Sequence, residues 1–259
     1  MAGNNLHDNV LRTKAPSVLG RAVFVGLRGL DVFWQYHLLS QGWLTRAIEK
    51  LGGHAIPESA IWSSSGFLPR PYYAVVLMLS LGSSVKQILA MLLVSEQETP
   101  VASAAMIATF NTVVNTVNAL LSVWMATCPA SSSGSSSLIA NPTIVVGMAA
   151  YAVGILTEMV SELQRRTFKR NPANKGKPYS GGLFSLARQI NYGGYTLWRA
   201  GYATITGGAA WGTFVFSFFF YDFAVRGVPV LDEYLVKRYG EPYKKVKRRV
   251  KYSLIPGIY

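Results

Sequence analysis

Apolar residues fall in long blocks separated by short polar or basic segments. A bilayer core takes about 20 mostly apolar residues as helix. The blocks at 18–39, 72–94, 101–127 and 138–160 therefore read as candidate spans, and a further block runs from 195 to 225. Arg21, Arg28 and Asp31 interrupt the first, which reads as either interfacial or spanning. Pro69 and Pro71 punctuate the entry to the second, and Ala130–Ser137 reads as an uncharged Ser/Gly loop. The block 195–225 is long for one span and short for two, and charge decides between them. Seven Lys and Arg lie between 165 and 188, and eight between 237 and 251. Basic loops stay cytosolic, so both segments belong on one side. That predicts a hairpin turning near Gly207-Gly208. The expectation is an all-α, polytopic transmembrane helical bundle of about six spans, with both termini cytosolic and a cytosolic-side cofactor pocket in the C-terminal half. A polar segment 1–17 precedes transmembrane helices and loops over 18–137, and a C-terminal domain covers 138–259.

Composition agrees with a membrane protein. Half of the 259 residues are hydrophobic and 14% are charged, where soluble domains average about 25% charged. Mean hydropathy is +0.25. Six Trp, fourteen Tyr and twelve Phe suit interfacial belts and packed helices. The net charge of +13 would fit nucleic acid, but the cations flank apolar blocks and read as membrane-proximal loops, so no nucleic-acid partner is expected. Residues 1–17 lack an apolar core, so no cleaved signal peptide is expected. The single Cys128 excludes an intramolecular disulfide, and His7, His37 and His54 are scattered, so no metal site is expected. There is no G-x-G-x-x-G, Walker loop or G-x-S-x-G elbow. A nucleotide site would have to be built among helices.

Three polar constellations remain. Glu158, Glu162 and Arg166 follow i, i+4, i+8 spacing and share a helix face. They read as a charge ladder with Glu162 paired to Arg166, or as a polar rim for a nucleotide. Asn111, Asn115 and Asn118 line one face of a span, where three amides cannot all meet lipid. They read as interhelical hydrogen bonds or as a substrate cavity wall, joined by Lys86 and Gln87. Arg188, Asn191 and Tyr192 sit in ARQINYGGY, where Arg suits phosphate, Asn suits an amide, and Gly193-Gly194 permits close backbone approach. Arg226, Asp232, Glu233 and Tyr234 follow the hairpin, with Arg226 and Tyr234 placed to face the bundle. Lys244 to Arg249 read as attracted to anionic lipid.

At these residues the chain resembles the C-terminal domain of the steroid 5-alpha-reductase and sterol reductase superfamily, in its uncharacterised fungal branch. The resemblance rests on Glu158, Glu162, Gln164 and Arg166, then Gly182-Leu183-Phe184, then Arg188, Asn191, Tyr192 and Gly194, and finally Arg238-Tyr239-Gly240, Tyr243 and Pro256 to Tyr259. It covers roughly 140–259. Gln189, Ile190 and Tyr195 depart from the family's His, Pro and Glu. The resemblance implies an NADPH-dependent reductase of a carbon–carbon double bond in a sterol-like or other lipid, in the endoplasmic reticulum membrane. It implies cofactor contacts from Glu158, Glu162, Arg166, Arg188, Asn191, Tyr192, Arg226, Glu233 and Tyr234. Tyr195 would be the candidate proton donor, and Asn111, Asn115, Asn118 and Lys86 would meet substrate. Prenylcysteine carboxyl methyltransferases share the architecture and a similar Arg-His-Pro-x-Tyr region but use S-adenosylmethionine, and so stand as the alternative. A degenerate lipid-binding member is a third.

Overall fold

A computed structural model describes residues 13–63, 68–129 and 141–259. The expected Ser/Gly loop at 130–137, His7 and most of the polar segment 1–17 lie outside the described residues. Among the described residues the chain is all α-helical, with isolated bridges only at Ala55–Trp124 and Trp62–Pro69. The helices are α1 (Val18–Ser40), α2 (Trp43–Lys50), α3 (Glu58–Ile61), α4 (Pro71–Leu89), α5 (Val101–Val123), α6 (Pro142–Arg170), α7 (Ile190–Asp222), α8 (Val228–Tyr239) and α9 (Glu241–Arg249). Short π-helical turns at Ala90–Val94 and Phe223–Gly227 extend α4 and join α7 to α8.

Local chemistry sets several of these starts. Pro71 opens α4 at a position whose N–H would have no helical partner, and Pro100 precedes α5. Asn141 caps α6 through hydrogen bonds from the Thr143 and Ile144 amides to its side-chain oxygen. Four segments are long and apolar enough to cross a membrane: Pro71–Val94, Val101–Val123, Pro142–Arg170 and Ile190–Tyr239. The protein is an integral membrane protein.

Ile190–Tyr239 is not one straight rod. Gly208 adopts φ 75° and ψ −177°, a region open only to glycine. A Cβ on Gly212 would lie 1.9 Å from Thr204 Oγ1, although a straight helix would separate these positions by about 12 Å. The backbone therefore reverses where the two glycines and the charge pattern place a turn.

The described chain forms two compact units. The N-terminal unit contains residues 13–151 and 200–214, and the C-terminal unit contains 152–199 and 215–259. In the N-terminal unit α1 packs on α4 and α5, with Phe24 against Ala104 and Ala108. The charges that interrupt residues 18–39 find partners there. Arg28 donates to Asp31 at 2.9 Å and to Ser84 at 2.8 Å, with both ionic side chains at 0% exposure. Arg21 donates to the Ser95 carbonyl. Mutual neutralisation lets a buried charged pair persist where an isolated charge could not.

Glycines set the approach of α6 and α7 in each unit. In the C-terminal unit a Cβ on Gly154 would meet the Trp198 amide nitrogen at 2.4 Å, and one on Gly194 would meet Glu158 N at 2.7 Å. In the N-terminal unit Gly147 and Gly201 do the same, with a Gly201 Cβ 2.6 Å from the Gly147 carbonyl. Small residues allow backbones to approach where lipid supplies no hydrophobic drive between helices. Gly154→Ala should cost about 1–3 kcal/mol, as overpacking against rigid backbone does. Gly26→Ala, at an open α1 position, should be neutral or stabilising. Thermal unfolding in one detergent compares the two, and equal midpoints would contradict the close approach.

Candidate functional site

The last turns of α6 meet the first turns of α7 in the C-terminal unit. Asn191, buried at 6% exposure, donates from Nδ2 to Glu162 Oε1 at 2.8 Å. Trp198 Nε1 donates to Glu158 Oε2 at 2.7 Å. Arg165, rather than the expected Arg166, pairs with the other oxygen of Glu162. Arg166 is half-buried, with no side-chain partner among the described residues. The Asn191 Oδ1 is buried without a hydrogen bond among the described residues. Two carboxylates, one open amide oxygen and an unpaired guanidinium thus belong to one helix pair. Such a set can take a ligand carrying both cationic and anionic groups.

Aromatic rings lie beside it. Tyr192 stacks on Phe223 with centroids 4.6 Å apart, and Tyr195 meets Trp198, Phe219 and Phe223 edge-on. The Tyr195 hydroxyl accepts from Arg199 Nε at 3.1 Å, and Arg199 lies over the Trp198 ring. Trp198 was not singled out from sequence. Its signal was the spacing, since Asn191, Tyr195 and Trp198 follow i, i+4, i+7.

Arg188 ties the C-terminal segment to the start of α7. It donates to the Val250 and Lys251 carbonyls at 2.7 and 2.9 Å and to Ser253 Oγ at 2.7 Å. Its Nη2 lies 3.6 Å from Asp232. Asp232 also accepts from Lys247 at 2.9 Å and from the Tyr243 hydroxyl. Gly193 permits this closure, because a Cβ there would meet the Leu254 carbonyl at 2.1 Å. A cavity of about 500 Å³ is lined by Arg188, Val228, Pro229, Asp232, Lys247 and Tyr259, with Glu233 also on its wall.

The remaining predicted residues are placed as follows. Arg226 forms a two-pronged pair with Asp222 at 2.8 and 2.6 Å. Glu233 pairs with Lys237 on the surface at 2.7 Å. Tyr234 accepts from Arg238. Asn111, Asn115, Asn118 and Lys86 are buried in the N-terminal unit. Asn111 accepts from Gln87 at 2.7 Å, Asn115 donates to Asp31 at 2.7 Å, and Asn118 accepts from Trp211 at 2.8 Å. These bonds join α1, α4, α5 and the second arm of α7.

Residues 89–250 match a family described as "Protein of unknown function (DUF1295)". A protein of Ustilaginoidea virens named "Probable O-methyltransferase ustE" is 38% identical over 231 residues, covering 87% of this chain and 81% of that one. These findings overturn the steroid 5-alpha-reductase resemblance, and with it the oxidoreductase activity and NADPH as cofactor. The proton-donor role of Tyr195 belonged to that chemistry and falls with it. The structure supplies a physical reason for the misreading. Arg188, Gly193 and the C-terminal residues close a backbone clasp, so those motifs have a packing role in this chain that does not by itself name a cofactor.

Tyr243 yields a test of the clasp. Burial, then the hydrogen bond to Asp232, raise its phenol above the ordinary tyrosine range, while Arg188 pulls the other way. A raised folded-state value favours the protonated form. Its contribution should be intact below the unfolded value of about 10 and lost as pH rises beyond it. Tyr243→Phe should lower stability at neutral pH by about 1–2 kcal/mol and flatten the decline above that pH. Unfolding midpoints followed against pH check this, and an unchanged alkaline decline would contradict it.

Proposed function

Because the chain belongs to the DUF1295 family, and because its similarity to a protein named as a probable O-methyltransferase spans most of both chains, we propose that it is a membrane-embedded O-methyltransferase that uses S-adenosylmethionine. That similarity is the observation that carries the reading. The donor set is compatible with the cofactor. S-adenosylmethionine supplies an electrophilic methyl group on a sulfonium and also bears an ammonium, a carboxylate and an adenine. Glu158, Glu162 and the open Asn191 oxygen would hold its cationic and N–H groups. Arg166 would hold its carboxylate, while Arg188, both of whose Nη atoms are engaged by the C-terminal segment, would fix that segment beside it. The rings of Tyr192, Tyr195 and Phe223 would exclude water from the reacting groups. Arg226, Glu233 and Tyr234 are assigned to the surrounding wall.

The acceptor is a lipid-soluble molecule that presents an oxygen nucleophile and enters from the bilayer. Within the N-terminal unit, the Asn115 oxygen is buried without a hydrogen bond among the described residues and is the open acceptor on the asparagine face. We assign the cofactor domain to 138–259 and the protein to the endoplasmic reticulum membrane, with about six spans and cytosolic termini.

Calorimetry on the detergent-purified chain should detect S-adenosylmethionine binding. Asn191→Ala and Glu162→Gln should each weaken it by roughly 1–3 kcal/mol, as loss of a bond to a charged or buried partner does. Lys251→Ala, at an exposed position, should leave it unchanged. A folded protein that binds no S-adenosylmethionine would overturn the reading. For topology, a C-terminal tag on sealed microsomes should be cleaved by external protease, and full protection would refute cytosolic termini.

A further inference from the structure

We propose that the basic surface made by the end of α6, its following loop and α9 docks the anionic phospholipid headgroups of the membrane that holds the protein. The inference rests on the membrane assignment and is independent of the methyltransferase reading. Between residues 165 and 177 there are six cations and no carboxylate. Between 237 and 251 there are eight cations and one carboxylate, Glu241. About sixty residues separate the two runs, yet the C-terminal unit joins them. Lys169 donates to the Tyr239 hydroxyl at 2.7 Å and lies over that ring, and Arg249 donates to Ser180. Both runs also sit at the ends of candidate spans. α6 closes the segment Pro142–Arg170, and α9 starts two residues after Ile190–Tyr239 ends.

α9 is built to present charge. It turns Tyr243 and Val246, followed by Val250, onto Leu235, Val236 and Tyr239. That leaves Lys244, Lys245 and Arg248 exposed. Internal acids answer only part of this charge. Glu241 pairs with Lys244 and Arg248, Glu233 with Lys237, and Asp232 with Lys247. Arg170, Lys175, Lys177, Lys245 and Lys251 are exposed and form no salt bridge with a carboxylate among the described residues. Cations held together at a span end, with few internal acids to neutralise them, match a negatively charged leaflet. Each Lys or Arg near such a surface strengthens association by roughly fivefold. A lipid surface is favoured over a soluble acidic partner because the charge continues directly from the spans and needs no docking groove.

The test is lipid selectivity, which does not depend on turnover. The full chain is placed in phosphatidylcholine nanodiscs with traces of spin-labelled phosphatidylserine or phosphatidylcholine, and the bound fraction of each is read by electron spin resonance. The wild type should prefer the serine lipid about threefold or more at low salt. The preference should collapse near 1 M salt, where the screening length is about 3 Å. Replacing Lys175, Lys177, Lys245 and Lys251 by Gln should reduce it towards unity. Lys245→Glu with Lys251→Glu, the same four-unit change in charge, should reduce it by a similar amount, and all four positions are exposed, so folding should survive. Equal association of both lipids with the wild type would overturn the proposal. So would a preference that survives high salt or the four substitutions, or binding of an acidic peptide without lipid preference.

Discussion

Close backbone contact between α6 and α7 in the C-terminal unit is the constraint on which the candidate site depends. Gly154 and Gly194 have no room for a Cβ. Their contact brings the Glu158 and Glu162 carboxylates against Asn191 and Trp198. Inside a membrane two helices gain nothing from hiding apolar surface, because lipid is equally apolar. Packing and hydrogen bonds must hold them, and this pair has both. The carboxylates are partly satisfied by the fold itself, which lets them remain at a span end before any ligand arrives.

The C-terminal segment uses a different device. Asp232 gathers Arg188, Lys247 and Tyr243, and Arg188 then holds three positions between Val250 and Ser253. α9 is thereby fixed to α8, with Lys244, Lys245 and Arg248 exposed. One buried carboxylate so links the wall of the 500 Å³ cavity to the basic surface. A ligand that competes for Lys247 or Arg188 would loosen this attachment.

The helical architecture was legible because length and apolarity alone specify membrane helices. The reversal at Gly208 was legible because two basic segments had to share a side and two glycines lay between them. The Arg28–Asp31 pair was not legible as a partnered site, because Ser84 and Asn115 reach it from other helices. The salt link of Glu162 went to Arg165 instead of Arg166, a choice between the i+3 and i+4 neighbours that spacing does not settle. The family was misread for a related reason. The motifs at Arg188 and in the C-terminal segment clasp the chain beside the start of α7, a packing role that does not by itself name a cofactor. Identity over most of the chain separated the alternatives where the motifs did not.

The proposed site puts the cofactor of a methyl-transfer reaction in the C-terminal unit, beside the α6–α7 contact. Ultraviolet cross-linking of S-adenosylmethionine tritiated in its methyl group, followed by peptide mapping, tests it most directly. Label is expected in peptides from 152–199 or 215–259, suppressed by excess unlabelled S-adenosylhomocysteine. Label confined to residues 13–151 and 200–214, or label that the competitor does not displace, would rule this placement out.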